Sequence, residues 1–432
     1  MDYTDNKIAI VGYGVEGRAA ADYLSKHGAQ ISILDGNEST LTDKRYRFIA
    51  GRDYLENLAD YDLVVRSPSI RPELLKTAKR VTSSTQIFFD NCLGNIIGVT
   101  GTKGKGTTSS LSAKLLESQG VKVWLGGNIG VPMLSFLDNV QPGDVAILEL
   151  SSFQLCDLEA RPEIAVCLMI EPDHMNWHKD MAEYVTAKAN ITKNQRQSDV
   201  LIYHPTNQNT AKVVKNSQAI KIPAINQNVQ IQNDDLVFRS VKLMPVKEVG
   251  LIGVHNLENI TSALNVLNKY CSKHDLEIDL EAVVEVLREF IGLPNRLEFV
   301  RKFNGVRYIN DSYSSTPSAA IAGIKAVGEP VIAIIGGVDK GVDLDKLAES
   351  LTEIKHVVLI GQTAEILRTK LLALGSTDFV VVDGEMEQII NTCQNLSEPG
   401  DTILMSPGSS SFDMFLNFTD RGNQFRVVVN NL

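Results

Sequence analysis

The stretch Asn95-Ile-Ile-Gly-Val-Thr-Gly-Thr-Lys-Gly-Lys-Gly-Thr-Thr108 constrains this chain more than any other. An apolar run feeds a glycine-rich turn, and a helical pattern follows from about Thr108. Such a strand–loop–helix unit belongs in a parallel sheet covered on both faces. Glycines there let backbone N–H groups converge on an anion, and the helix N-terminus adds a favourable field. The unit therefore reads as a phosphate loop. Lys105 is placed to neutralise the β/γ region of a nucleotide. Gly106 displaces the following hydroxyl by one, so Thr107 is the residue expected to face Mg²⁺. The strict spacing of this motif departs at Val99, which stands where the first glycine belongs.

Two further α/β segments flank it. At the start, Ile8-Ala-Ile-Val11, Gly12-Tyr-Gly-Val-Glu-Gly17, a helical stretch through Leu24 and Ile31-Ser-Ile-Leu34-Asp35 make a βαβ unit. Its GxGxxG turn, with an acid about 20 residues on, has the form of a dinucleotide site. A third strand, Leu63-Val-Val65, leads into Ser67-Pro-Ser-Ile-Arg71. After the phosphate loop, strands are expected at Val145–Leu150 and Ile164–Met169, with short strands and turns as a β flank from Val200 to Val249. Beyond Gly292-Leu-Pro294, strand runs at Val331–Ile335, His356–Ile360, Phe379–Val382 and Thr402–Met405 alternate with helices, implying another parallel sheet. A length of 432 residues exceeds one ordinary core. The reading is three α/β domains: 1–92 Rossmann-like, 93–292 a central phosphate-loop domain with a small β flank, and 293–432 again Rossmann-like.

Composition narrows the function classes. A formal net charge of -10 argues against a nucleic-acid partner. The five cysteines (92, 156, 167, 271, 393) form no CxxC pair, so neither a zinc site nor a disulfide framework is expected. No apolar run reaches bilayer length, and the opening MDYTDNKIAIVGYG is acidic and runs straight into a strand. A cytoplasmic protein with no membrane partner is expected.

Other residues suit the phosphate site. Glu149 ends an apolar strand before Ser151-Ser-Phe-Gln154, and Glu171-Pro-Asp-His174 follows the next strand. Carboxylate, hydroxyl and imidazole together with phosphate oxygens make a Mg²⁺ shell. His178 lacks such neighbours and is read as a surface residue or one standing behind the site.

The ordered set of motifs resembles the Mur ligases. It comprises TGTKGKGTT, LELSSFQL at Leu148–Leu155, EPDHM at Glu171–Met175, GVHNLENITSAL at Gly253–Leu264, LPNRLE at Leu293–Glu298, NDSYSSTP at Asn310–Pro317 and SPGSSSFDMFLNFTDRGNQF at Ser406–Phe425. The resemblance covers essentially the whole chain. It implies an ATP- and Mg²⁺-dependent amide ligase that activates a substrate carboxylate as an acyl phosphate. GGNIG at Gly126–Gly130, SSFQL and the FxxRGNxF ending point to the member joining glutamate to UDP-N-acetylmuramoyl-L-alanine, acting as a monomer.

The resemblance also implies roles. Gly101, Thr102, Lys103, Gly104, Lys105, Gly106 and Thr107 hold the ATP phosphates. Thr107 and Glu149 face one Mg²⁺, while His174 and Lys188 lie near a second, with Lys188 carbamylated. Lys105, His174 and Lys188 are the catalytic set. Asn256 and Asn259 reach the nucleotide, Arg296 the γ-phosphate and Asp311 the ribose or adenine side. The first turn holds UDP in place of a dinucleotide, lined by Val15, Glu16, Asp35 and Ser67, with Asn128 at the muramoyl-alanine portion. Ser315, Lys340, Ser411, Phe412 and Phe418 hold glutamate. Because these residues come from different domains, the site is expected to assemble by domain closure.

Three positions depart from the family pattern. Gly106 replaces a Ser or Thr, Asn295 replaces a His, and Tyr313 stands where D-glutamate-adding members commonly carry Lys. D-glutamate is the expected amino acid and L-glutamate the alternative. A folylpolyglutamate synthase-like ligase and a non-catalytic nucleotide-binding scaffold are the remoter alternatives.

Overall fold

A computed structural model describes residues 3–38, 44–251, 253, 256–328 and 330–432. They form two compact units: residues up to Glu248 with Leu257–Val286, and Val249–Asn256 with Leu287–Leu432.

The first unit opens with β1 (Lys7–Val11), α1 (Val15–Lys26), β2 (Gln30–Asp35), β3 (Arg47–Ala50), β4 (Leu63–Arg66), β5 (Val81–Ser83) and α2 (Ser84–Asn91). These strands make an all-parallel sheet in the order β3-β2-β1-β4-β5. The order reverses at β1, so a crevice opens between the carboxyl ends of β1 and β4, where ligands of open α/β sheets bind.

The same unit continues with β6 (Asn95–Thr100), α3 (Lys105–Glu117), β7 (Val123–Gly127), β8 (Val145–Glu149), α4 (Ser152–Leu155), β9 (Ile164–Cys167), α5 (Met181–Lys193), β10 (Val200–Tyr203), α6 (Gln208–Asn216) and β11 (Ile220–Pro223). The second sheet is also parallel, ordered β11-β10-β9-β6-β8-β7, so β6 lies in its middle. Its central strands β6, β8 and β9 are almost wholly buried, as a sheet covered on both faces requires. One continuous apolar core runs from Ile8, Ile10 and Leu24 of the first sheet layer through Met133, Leu134 and Phe136 to Leu148 and Leu155 of the second. The antiparallel strands β12 (Val229–Gln232), β13 (Asp235–Phe238) and β14 (Val241–Pro245) form the β flank.

The helices α7 (Asn256–Lys273) and α8 (Leu280–Glu289) follow. The second unit then contains β15 (Glu298–Phe303), β16 (Val306–Asn310), α9 (Pro317–Val327), β17 (Val331–Gly336), α10 (Asp345–Leu351), β18 (His356–Ile360), α11 (Ala364–Ala373), β19 (Phe379–Val381), α12 (Met386–Leu396), β20 (Thr402–Met405) and α13 (Phe418–Asn430). The sheet order is β15-β16-β20-β17-β18-β19. Helices α9, α10 and α11 pack on one face, α12 and α13 on the other.

Several expectations are corrected. The 200–249 stretch is not all flank: β10 and β11 extend the central parallel sheet, and α6 lies between them. That helix spans nine residues and buries only Thr210 and Val213. The third sheet is not wholly parallel, because β15 pairs antiparallel with β16. Helix α3 starts at Lys105, three residues early, because Gly104 takes a left-handed conformation and turns the chain there.

Candidate active site

The first-sheet turn is built by close backbone approach. Gly12 has φ +88°, and the Ser67 hydroxyl donates to its carbonyl at 2.6 Å. A Cβ on Gly17 would stand 1.9 Å from that same oxygen. Asp35 accepts from the backbone N–H of Tyr13 at 2.7 Å and of Asn37 at 2.8 Å, so this acid fixes the turn at the end of β2. Val15 lies exposed where α1 begins. Beside it, Glu16 accepts from the Gln154 side chain at 2.7 Å through Oε1, while Oε2 is buried without a partner. Burial raises its carboxyl to about 7, against the lowering effects of Gln154 and Arg66.

The glycine-rich loop leaves β6 with Gly101 at φ +147° and Gly104 at φ +82°. A Cβ on Gly104 would meet Asn259 Oδ1 at 2.2 Å, and that oxygen accepts from the Thr108 hydroxyl at 3.1 Å. Asn259 thus packs against the loop. Thr102 ties the loop to the segment after β9: its N–H donates to Met169 O at 2.8 Å, and its hydroxyl bonds both backbone groups of Glu171. The Lys105 ammonium donates to Thr102 O at 3.0 Å, and the buried Lys188 donates to Gly101 O at 2.7 Å. Burial, then the charge of Lys105, brings the Lys188 amine down to about 7.

Strand pairing brings the metal candidates to the same place. Val99 lies beside Glu149 in the β6–β8 register, and Thr100 beside Cys167 in β6–β9. The loop's origin is therefore flanked by Glu149 on one side and by the segment leading to His174 on the other. Asn128 donates to Glu149 Oε1 at 2.7 Å, and Glu149 Oε2 is buried with no partner among the described residues. A buried carboxylate oxygen without a donor is costly, and a bound cation satisfies it. Thr107 is buried in the first turn of α3. Among the described residues no three His, Cys, Asp or Glu side chains converge as a metal cluster; the unpartnered Glu149 oxygen is one donor that would suit a Mg²⁺ completed by ligand phosphate oxygens. His174 takes φ +55°, is half-exposed, and packs edge-on to Phe153 at 4.8 Å. Its pKa is lowered by burial, opposed by Asp173 and reinforced by Lys188 and Lys105.

Helix α4 joins the two regions, a connection the motif reading missed. Ser151 and Gln154 form a capping box, and the S-x-x-Q spacing carries that signal in the sequence. Ser152 bonds His178 Nε2 at 2.9 Å, Phe153 packs on His174 and Trp177, and Gln154 reaches Glu16. Of the two readings of His178, the surface one is corrected: it is 1 % exposed, held on its other nitrogen by Glu183, as a residue standing behind its neighbours would be. Arg66 is fully buried beneath α4, paired with Asp157 and donating to Phe153 O at 2.8 Å. A charge ending the apolar run Leu63-Val-Val was the available signal.

In the second unit, Asp311 follows β16. It accepts from Leu297 N–H at 3.1 Å and from the hydroxyls of Ser314 at 2.6 Å and Ser406 at 2.8 Å. Burial raises its carboxyl to about 6 against these donors. Arg296 lies over the Tyr313 ring at 3.8 Å, and Tyr313 meets Phe418 edge-on at 5.2 Å. Lys340 is exposed in the turn after β17, whose Val338 N–H donates to Ser410 O at 2.9 Å. That bond draws the Lys340 turn to the strand-end loop carrying Ser411, which is buried, and Phe412, which is exposed. Ser315 is exposed between β16 and α9. The fully buried Arg421 supports this edge by donating to Ser312 O and Ser409 O. Asn256 opens α7 with its N–H donating to Gly253 O; Val254 and His255 of that motif lie outside the described residues.

Residues 99–267 match the Mur ligase middle domain, and 295–408 match the Mur ligase glutamate ligase domain. The UDP-N-acetylmuramoylalanine--D-glutamate ligase of Clostridium kluyveri is 35% identical over 99% of this chain and 97% of its own length. The like-named protein of Clostridium tetani matches to the same extent. The chain is a Mur ligase. Two solved structures share this ligase's fold: UDP-N-acetylmuramate-alanine ligase of Thermotoga maritima (TM-score 0.61, 15% identity, 99% of both chains) and the MurF ligase of that organism in complex with ADP (TM-score 0.60, 17% identity, 100% of this chain and 96% of that one). No helix of the ligase, among its described residues, is long and apolar enough to cross a membrane.

Proposed function

We propose that this Mur ligase joins D-glutamate to UDP-N-acetylmuramoyl-L-alanine at the expense of ATP, as a cytoplasmic monomer in peptidoglycan precursor synthesis. One observation carries the chemistry: the glycine-rich loop, with Lys105 and Lys188 folded onto its carbonyls, lies in register beside Glu149 and its unpartnered oxygen. The names of the full-length relatives support the substrates. We keep three domains, 1–92, 93–292 and 293–432, on the ground that each has its own parallel or largely parallel sheet.

The reaction joins two anions before it joins an amine. The terminal carboxylate of the nucleotide sugar attacks the γ-phosphorus; a C–O–P linkage forms and ADP leaves. The glutamate amine then attacks the acyl carbon, loses a proton and expels phosphate. Loop N–H groups of Gly101–Thr107 and the Lys105 ammonium offset the triphosphate charge. Mg²⁺, held by Glu149 and Thr107, supplies further charge neutralisation and phosphoryl polarisation when bound. Lys188, with its amine brought down to about 7, has a ready neutral form that adds CO₂ and releases a proton, giving the carbamate the family resemblance implies. His174 stands between that lysine's field and Asp173. In the second unit, Lys340 pairs with a glutamate carboxylate, and Ser315, Ser411, Phe412 and Phe418 flank it. Within the second unit Asp311 holds the Leu297 N–H and the Ser314 and Ser406 hydroxyls, the place proposed for the ribose or adenine side, and Arg296 is assigned to the γ-phosphate.

ADP release with UDP-N-acetylmuramoyl-L-alanine and each glutamate enantiomer tests the reading. Turnover is expected with the D form and lost in Lys105→Ala. Turnover with L-glutamate alone would establish the second reading, which Tyr313 in place of a lysine favours.

A further inference from the structure

Arg296, in the second unit, is held firmly and yet has its charge unspent. It lies half-buried just before β15, on a backbone pinned at three points. Its own N–H donates to Leu293 O at 3.1 Å, that of Asn295 to Glu298 Oε2 at 2.8 Å, and that of Leu297 to Asp311 Oδ1 at 3.1 Å. Both neighbours are left-handed, Asn295 at φ +64° and Leu297 at φ +45°. That conformation is unfavourable for a leucine, so the surrounding bonds impose it, and with it the direction in which Arg296 leaves the chain.

The guanidinium has no anion of its own. Among the described residues it makes no ion pair and no side-chain hydrogen bond. Asp311, which feels its charge, has Oδ1 engaged by Leu297 and Oδ2 by the Ser314 and Ser406 hydroxyls. Glu298 is taken by Arg426. What the guanidinium does touch is the Tyr313 ring, at 3.8 Å. That ring is fixed in turn. Tyr313 N–H donates to Asn295 O at 2.9 Å, and the ring meets Phe418 edge-on, while Phe418 O accepts from the Ser312 hydroxyl at 2.9 Å. The Tyr313 hydroxyl makes no hydrogen bond among the described residues, so the ring face is its contribution.

A ring face attracts a guanidinium through its quadrupole and leaves the N–H donors for other acceptors. We infer that Tyr313 is a positioning residue: its ring holds Arg296 in place with the donor fork free to bind an oxyanion, the γ-phosphate of ATP. This role rests on the γ-phosphate assignment of Arg296. A lysine at 313 would repel the guanidinium, whereas the aromatic ring anchors it.

Steady-state ADP formation by the full chain, with UDP-N-acetylmuramoyl-L-alanine and the glutamate enantiomer that supports turnover, tests it. Tyr313→Leu should lower kcat/KM for ATP by about three- to tenfold, and Tyr313→Phe, which keeps the ring face, should stay within about twofold of wild type. Arg296→Met should cost about a hundredfold, and adding Tyr313→Leu to it should cost nothing further. Tyr313 is exposed, so its replacements should leave Tm unchanged. An unaffected Tyr313→Leu, equal losses in the leucine and phenylalanine variants, or the same loss with and without Arg296 overturns the proposal. A loss confined to kcat/KM for glutamate keeps the platform and makes its oxyanion a glutamate carboxylate. A loss in Arg296→Met with none in Tyr313→Leu sinks the platform alone. An unaffected Arg296→Met, or no ADP from the wild type, sinks the underlying assignment as well.

Discussion

Replacing Asp157 by Asn tests whether α4 is held by charge. Arg66 is 0% exposed and its side chain cannot reach water, while Asp157 is 29% exposed. Nε donates to Asp157 Oδ2 at 2.6 Å, and Nη2 makes a second, shorter contact to Oδ1. Removing one partner of a fully buried pair costs about 3–5 kcal/mol, because the other charge is left without its anion. The partial exposure of Asp157 screens the pair, and three backbone carbonyls still accept from the guanidinium, so about 2–3 kcal/mol is the fitting figure. For a unit of this size that corresponds to a drop of roughly 3–5 °C in Tm. Scanning calorimetry of the full chain measures it, with Arg66→Met as comparator. Because Arg66 also donates to Phe153 O, and Phe153 packs on His174, the KM for the nucleotide sugar is expected to rise in both variants. A Tm within 1 °C of wild type in Asp157→Asn would refute the reasoning.

Three further outcomes are expected. Glu149→Gln keeps the Asn128 contact but removes the charge behind the unpartnered oxygen, so the Mg²⁺ giving half-maximal ADP formation should rise by about tenfold or more; an unchanged requirement removes Glu149 from the metal site. Gly17→Ala forces a Cβ to 1.9 Å from Gly12 O, so equilibrium binding of the nucleotide sugar should weaken at least about tenfold; retained affinity would show that the turn is not the UDP site. Glu258, raised to about 7 by burial against a Met169 backbone donor, has a folded pKa above its unfolded value. Its stability contribution is therefore full below about pH 4.5 and lost as pH rises to about 7. Glu258→Gln should flatten that part of the Tm–pH curve, and parallel curves would contradict the assignment.

Much of the candidate site was legible because its chemistry is local in sequence. The run from Asn95 to Thr108 dictates strand, turn and helix by apolar continuity and glycine placement, and Gly104 does adopt the left-handed conformation that starts α3. Glu149 could be found at the end of an apolar strand, because a strand in the middle of a parallel sheet must present its last residue at the ligand edge. Short elements were illegible: β3 and β5, of four and three residues, bury too few side chains to leave a periodic mark.

What tertiary structure alone decided is which polar groups are left over. The sequence places Glu16, Glu149 and Asp311 beside turns but does not say how many donors each receives. Folding supplies Asp311 with three donors, Glu149 and Glu16 with one amide each, and seals one oxygen of each of the latter two from solvent. In the same way His178, unremarkable in sequence, becomes a buried strut because Ser152, 26 positions away, and Glu183 of the following helix both close on it. Hydrogen-bond saturation is a property of packing, through bonds that reach as far as 138 positions along the chain, and composition and spacing carry no record of it.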